Sequence, residues 1–81
     1  MPKIQEANNF KRVKNKLDRS YLLRLEKLIR KIIESPLIGK PMQYNRKNTR
    51  ELYLPPFRVS YAYDQMTDTL IFLDLYHKDE Q

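Results

Sequence analysis

Two side chains in this sequence stand out for the chemistry they could do. His77 is the single histidine, and an imidazole, with an ordinary pKa of about 6.5, is the one side chain here that exchanges protons near neutral pH. Arg58 lies in the run Phe57-Arg58-Val59-Ser60-Tyr61, and its guanidinium is a permanently charged fork that matches carboxylate or phosphate oxygens. A proton carrier and an anion clamp together suit acid–base chemistry on an anionic substrate. The plainer alternatives are a solvated histidine and a routine cross-strand pair of Arg58 with Glu51 or Asp74. Metal chemistry has little to work with. There is no cysteine, one histidine cannot build a zinc site, and the ten Asp and Glu are scattered. No metal and no cofactor enters the expected chemistry.

The elements that must position these residues change character half-way along the chain. Ile4, Ala7, Phe10, Val13 and Leu17 recur at three- and four-residue steps, which predicts a short amphipathic helix, although residues 3–6 also suit a strand. Asp18 is placed to cap a second helix. Its apolar stripe comprises Leu22, Leu25, Leu28, Ile29, Ile32 and Ile33, with Arg24, Lys27, Arg30 and Lys31 elsewhere. Ser35-Pro36 stops it, because proline disfavours helical geometry in the residue before it. A connector from Pro36 to Asn48 holds the one glycine, Gly39.

Beyond it the period becomes two. Glu51 to Leu54, Phe57 to Tyr63 and Thr69 to Tyr76 read as three strands, separated by Pro55-Pro56 and by a turn from Asp64 to Asp68. Alternation puts Phe57, Val59, Tyr61 and Tyr63 on one face and Arg58, Ser60 and Ala62 on the other. The large set should meet the helices, leaving Arg58 on the open face. The expected fold is α+β: a single domain over residues 1–81, with two N-terminal helices packed on an antiparallel sheet of three to four strands.

A chain of 81 residues with 16 Lys and Arg against 10 Asp and Glu carries a net charge of +6. Such a field concentrates polyanions, whether nucleic acid, ribosome or an acidic protein. No apolar run approaches a membrane span, and Met1-Pro2-Lys3 opens no signal-peptide core. A cytoplasmic protein without membrane contact is the expectation.

The second half resembles a known family. Arg50-Glu51-Leu52-Tyr53-Leu54, a short turn and Phe57-Arg58-Val59-Ser60-Tyr61 resemble the signature of the RelE/ParE superfamily, where an R-x-L strand leads through a tight turn into aromatic-Arg-Val-x-Tyr. Upstream, Phe10 to Leu17, the helix end Ile32-Ile33-Glu34-Ser35-Pro36 and Gly39-Lys40-Pro41 follow the family layout. Downstream, Leu73-Asp74-Leu75-Tyr76-His77-Lys78 resembles its last strand. Three positions depart from the pattern. Pro55-Pro56 replaces the glycine that often precedes the aromatic, Thr49 and Glu51 stand where some relatives carry lysines, and no tyrosine follows Lys78.

The resemblance implies the toxin of a type II toxin–antitoxin pair, masked by a cognate antitoxin protein in a hetero-oligomer. Many such toxins cleave mRNA in the ribosomal decoding site; a ParE-like branch poisons DNA gyrase, and a non-catalytic RNA- or protein-binding module on the same fold is a further alternative. For a ribosome-dependent mRNA endonuclease, cleavage uses the RNA's own 2′-hydroxyl without a metal. Arg58 then stabilises the phosphate charge, His77 moves protons, Lys78 adds positive charge and Glu51 acts as base or orients Arg58. Arg46, Lys47 and Arg50 are expected to hold phosphates, and Tyr44, with Tyr76 as a second candidate, to stack on bases. Arg58 and His77 should converge on the open face.

Overall fold

A computed structural model of the protein describes residues 2–42 and 48–77. Seven elements follow in order: β1 (Lys3–Glu6), α1 (Asn8–Lys14), α2 (Arg19–Glu34), β2 (Lys40–Pro41), β3 (Thr49–Leu54), β4 (Phe57–Asp64) and β5 (Thr69–His77). The strands form one sheet in the order β1-β5-β4-β3-β2. β2, β3, β4 and β5 pair antiparallel, whereas β1 runs parallel to β5. The α+β class stands as read, but the sheet has five strands rather than three or four, and a strand precedes the two helices.

The correction at the N-terminal side has a backbone cause. Residues 3–6 take the strand alternative, because β5 offers them an unpaired edge. The Lys3 amide donates to the Asp68 carbonyl at 2.8 Å and the Ala7 amide to the Phe72 carbonyl at 2.9 Å. Ala7 is itself extended, at φ −69° and ψ 155°. Only Phe10, Val13 and Leu17 of the five-residue apolar series face the core; Ile4 stays 43% exposed.

The second helix follows its pattern closely. The Asp18 carboxylate accepts from the Tyr21 amide at 3.0 Å, which satisfies one of the amides left unpaired in a first turn. That hydrogen bond, helped by the Ser20 hydroxyl, holds the Asp18 carboxyl below its ordinary range. The helix ends at Glu34, ahead of Ser35-Pro36. Leu25 and Ile32 are fully buried against the sheet, and Leu28, Ile29 and Ile33 pack beside them. Each fully buried side chain of this size contributes about 1.5–3 kcal/mol.

The sheet meets both helices with one face. Leu54 on β3, Val59 and Tyr61 on β4, and Leu70, Phe72 and Leu75 on β5 are buried with Phe10, Leu25 and Ile32. The Phe10 ring from α1 lies 5.3 Å from that of Phe72. Tight loops join the strands: a cis Pro55–Pro56 peptide between β3 and β4, and a turn at Asp68 with φ 49° between β4 and β5. No helix among the described residues is long and apolar enough to cross a membrane.

Register within the sheet is regular except at one point. Along β4 and β5, Ser60 pairs with Asp74 but Tyr61 pairs with Phe72, so Leu73 is an extra residue on β5. A bulge of this kind shifts every following side chain to the other face. Strict alternation from Phe72 would turn Asp74 and Tyr76 toward the helices and Leu75 and His77 away. The bulge reverses this. Leu75 is buried beside Val59 and His77 stands beside Phe57, while Tyr76 moves to the open face beside Arg58.

Candidate functional site

The open face is centred on Arg58. Cross-strand pairing aligns Tyr53, Arg58 and Tyr76 in one row across β3, β4 and β5, and Glu51, Ser60 and Asp74 in the next. Lys40 on β2 pairs with Glu51 and so shares this face. Lys40, Glu51, Leu52, Tyr53 and Arg58 line a shallow cavity of about 350 Å³. Two cationic side chains and one aromatic ring around an open depression suit a nucleic-acid backbone with an adjacent base.

Glu51 ties the row together. Its Oε1 accepts from Arg58 Nη1 at 3.0 Å, and its Oε2 accepts from the Tyr76 hydroxyl at 3.2 Å. The cross-strand pair anticipated for Arg58 is therefore made with Glu51. Asp74, the other candidate, is engaged by the Asn9 side-chain amide of α1 and by the Leu75 amide. The Arg58 and Glu51 side chains keep 31% and 22% of their exposure, and an ion pair this accessible contributes about 1 kcal/mol or less. Against it stands Arg58 Nε, which is buried and has no hydrogen-bond partner among the described residues. A buried donor left unpaired costs about 1–3 kcal/mol. The guanidinium is thus held by one nitrogen and unsatisfied at another.

His77 does not join this group. It pairs with Phe57 on the helix-covered face, with ring centroids 5.8 Å apart in an edge-on arrangement. Phe57 in turn meets Tyr21 of α2 edge-on at 5.5 Å, and the Arg24 guanidinium lies over the Tyr21 ring. The imidazole belongs to an aromatic stack at the end of the sheet. The expected convergence of Arg58 and His77 is overturned, and the Leu73 bulge is the cause.

Arg50 is the second correction. It pairs with the inward residue Tyr61, so it lies on the helix side and not with the phosphate-facing groups. Its Nη1 donates to the carbonyls of Gly39 at 2.8 Å and Leu37 at 3.1 Å. The fully buried Tyr61 completes the latch, its hydroxyl donating to the Pro36 carbonyl at 2.9 Å and accepting from the Gly39 amide at 2.8 Å. Burial raises the Tyr61 hydroxyl above its ordinary pKa, opposed by the Gly39 hydrogen bond and the Arg50 charge. Gly39 is required by close approach: a Cβ there would stand 2.6 Å from the Tyr61 hydroxyl oxygen and 2.9 Å from Arg50 Cβ. This latch fixes the segment that delivers Lys40 to the open face.

Of the remaining expected residues, Tyr44, Arg46, Lys47 and Lys78 lie outside the described residues. Lys40 and Tyr53 are the residues that pattern reading missed. For Tyr53 the signal was available, since it faces Arg58 across a two-residue turn. For Lys40 it was not, because a two-residue strand has no alternation to read. Among the described residues no group of three or more His, Asp or Glu side chains is arranged to hold a metal ion.

No family model matches the sequence, and no curated protein matches it. Solved structures do match. The isolated RelE toxin of E. coli superposes with a TM-score of 0.85 at 14% identity, over 100% of this chain and 88% of that one. The chain has the RelE fold. The RelBE2 toxin–antitoxin complex from Mycobacterium tuberculosis matches at 0.81 with 21% identity, over 96% of this chain and 100% of its own. A metal-bound toxin from Helicobacter pylori matches at 0.74 with 24% identity, over 99% and 98%. Within the RelE fold of this chain, the uncovered sheet face carries Arg58, Glu51, Tyr76, Tyr53 and Lys40.

Proposed function

We propose that this chain is the toxin of a toxin–antitoxin module and acts as a ribosome-dependent mRNA endonuclease. One observation carries the reading: on a RelE fold, a partly exposed arginine stands at the centre of the uncovered sheet face beside a cavity. In the reaction, which requires no metal, the RNA's 2′-hydroxyl gives up its proton and bonds to the adjacent phosphorus as a 2′,3′-cyclic phosphate, while the P–O5′ bond breaks and the 5′-oxygen takes a proton from water. Arg58 stabilises the charge that grows on the phosphate. Glu51, whose carboxylate already touches the guanidinium, is the proton acceptor closest to a phosphate held there. Tyr53, which is 53% exposed, supplies a ring for a neighbouring base, and Lys40 a second positive charge. His77 lies with Phe57 on the covered face, away from this arrangement.

So small and open a face positions substrate poorly by itself, and the ribosome supplies the alignment that the reaction needs. A cognate antitoxin covers the toxin when it is silent, in keeping with the toxin–antitoxin complexes among the structures of the same fold.

The test is controlled expression of the wild type and of Arg58→Ala in growing cells, with mRNA ends mapped. Growth arrest with new mRNA ends inside translated frames, abolished by the substitution, supports the proposal. Arrest with DNA breaks and intact message would assign the chain to a ParE-like gyrase-directed toxin instead. Growth without arrest from a well-folded protein would leave a non-catalytic binding module.

A further inference from the structure

We propose that Glu51 is an internal competitor for the Arg58 anion site, and that an incoming phosphate must take its place on the guanidinium. The inference rests on the reading of Arg58 as an RNA-phosphate contact and adds the residue that sets its affinity.

Three observations carry it. First, Glu51 Oε1 occupies Arg58 Nη1, so the clamp is partly filled by a carboxylate of the same chain. Second, that occupancy is incomplete, because the buried Arg58 Nε has no partner among the described residues. A guanidinium binds an oxyanion best through two parallel N–H groups. A phosphate that engages a pair of N–H donors on a re-oriented guanidinium offers a better match than the present single contact. Third, the displaced carboxylate has other partners on the same face. Its Oε2 already accepts from the Tyr76 hydroxyl, and Lys40 stands opposite it in the β2–β3 ladder and lines the same cavity. Exchange therefore does not strand a bare carboxylate.

The consequence is a threshold for binding. An isolated monoanion must displace Glu51 with a single contact and competes poorly. A phosphate chain that also touches Lys40 and stacks on Tyr53 gains the additional contacts needed to complete the exchange. Glu51 thus lowers the affinity of every anion at Arg58 by a similar factor, a threshold that a ligand with these additional contacts passes and a free small anion does not.

The experiment measures binding of inorganic pyrophosphate and of a labelled single-stranded RNA octamer to the full chain. The variants are Glu51→Gln, Glu26→Gln and the double variant Glu51→Gln/Arg58→Ala. The Nε–H resonance of Arg58 in arginine-labelled protein reports on the guanidinium directly. Glu26 lies exposed on α2, so its substitution measures the effect of removing a negative charge elsewhere. The expected result is that Glu51→Gln binds both probes roughly three- to tenfold more tightly than Glu26→Gln. The Arg58 resonance should move further for a given pyrophosphate concentration, and the gain should vanish in the double variant. Equal or weaker pyrophosphate binding by Glu51→Gln, compared with Glu26→Gln, would overturn the competitor role. Tighter pyrophosphate binding without RNA binding by any variant would uphold the competition at Arg58 and overturn its link to RNA.

Discussion

Arg58 and His77 lie on opposite faces of the β4–β5 ladder: Arg58 pairs with Tyr76 in the open row, and His77 pairs with Phe57 in the covered one. The extra residue at Leu73 produces that separation. It exchanges an imidazole for a phenol beside the guanidinium, whose carboxylate partner is Glu51.

The first prediction concerns His77. With its ring packed on Phe57, His77→Ala should lower stability by about 0.5–1.5 kcal/mol, the range of an edge-on aromatic pair. Under the proposed function, inhibition of translation in a cell extract should fall by less than about tenfold, well below the loss expected for a group that moves protons. Urea unfolding and a dose–response curve in the extract give the two numbers.

Deletion of Leu73 tests the bulge. Without the extra residue, Phe72, Asp74, Leu75, Tyr76 and His77 run one-to-one against Tyr61, Ser60, Val59, Arg58 and Phe57, so each side chain keeps its face. Leu75 therefore stays buried beside Val59, and the deletion variant should fold, with a stability loss below the roughly 2–5 kcal/mol that removing a buried leucine costs. Unfolding of the deletion variant, or loss of the Val59–Leu75 and Arg58–Tyr76 cross-strand contacts by NMR, would contradict the assigned register.

The latch below β2 makes a separate prediction. Tyr61→Phe removes a donor to the Pro36 carbonyl and an acceptor for the Gly39 amide. The buried groups left unpaired should cost about 1–3 kcal/mol. Gly39→Ala should be destabilising by a similar amount, since the new methyl would overlap the Tyr61 hydroxyl. Denaturant midpoints measure both effects, and the two substitutions should not add, because they break the same contact.

Asp18 gives a pH prediction. Its carboxyl titrates below the ordinary aspartate value of 3.8 in the folded protein because the Tyr21 amide, and then the Ser20 hydroxyl, bind the charged form. A depressed folded pKa means that the contribution is fully present above the unfolded value and is lost as pH falls through the folded one. Asp18→Asn retains a capping oxygen, so its melting temperature should fall less steeply than that of the wild type below about pH 4. Asp18→Ala should melt roughly 4–8 °C lower at neutral pH. Thermal scans from pH 2 to pH 7 separate the variants.

Much of this architecture was legible before any coordinates. The cap at Asp18, the stop at Ser35-Pro36 and the inward set Phe57, Val59, Tyr61 and Tyr63 follow from local chemistry and period, and the structure reproduces them. Arg58 on the open face followed from the same alternation. What was not legible depends on pairing between distant segments. Residues 3–6 form a strand because β5 has a free edge, and Lys40 becomes a site residue because β3 aligns it with Glu51. The faces of Tyr76 and His77 turn on one bulge, and Leu73-Asp74-Leu75 carries no signal that distinguishes a bulge from a regular strand. Arg50 looked like another surface cation. Its partner Tyr61 directs it inward, to backbone carbonyls that no sequence pattern reveals.

The most direct measurement is cleavage of a defined message on purified ribosomes by wild type and Arg58→Ala, with folding of both checked by circular dichroism. If a guanidinium on the open sheet face bears the charge of the scissile phosphate, the wild type cuts ribosome-bound message and the variant does so at least about 100-fold more slowly. Equal cutting rates for the two proteins, or no cutting by a folded wild type, would contradict that assignment.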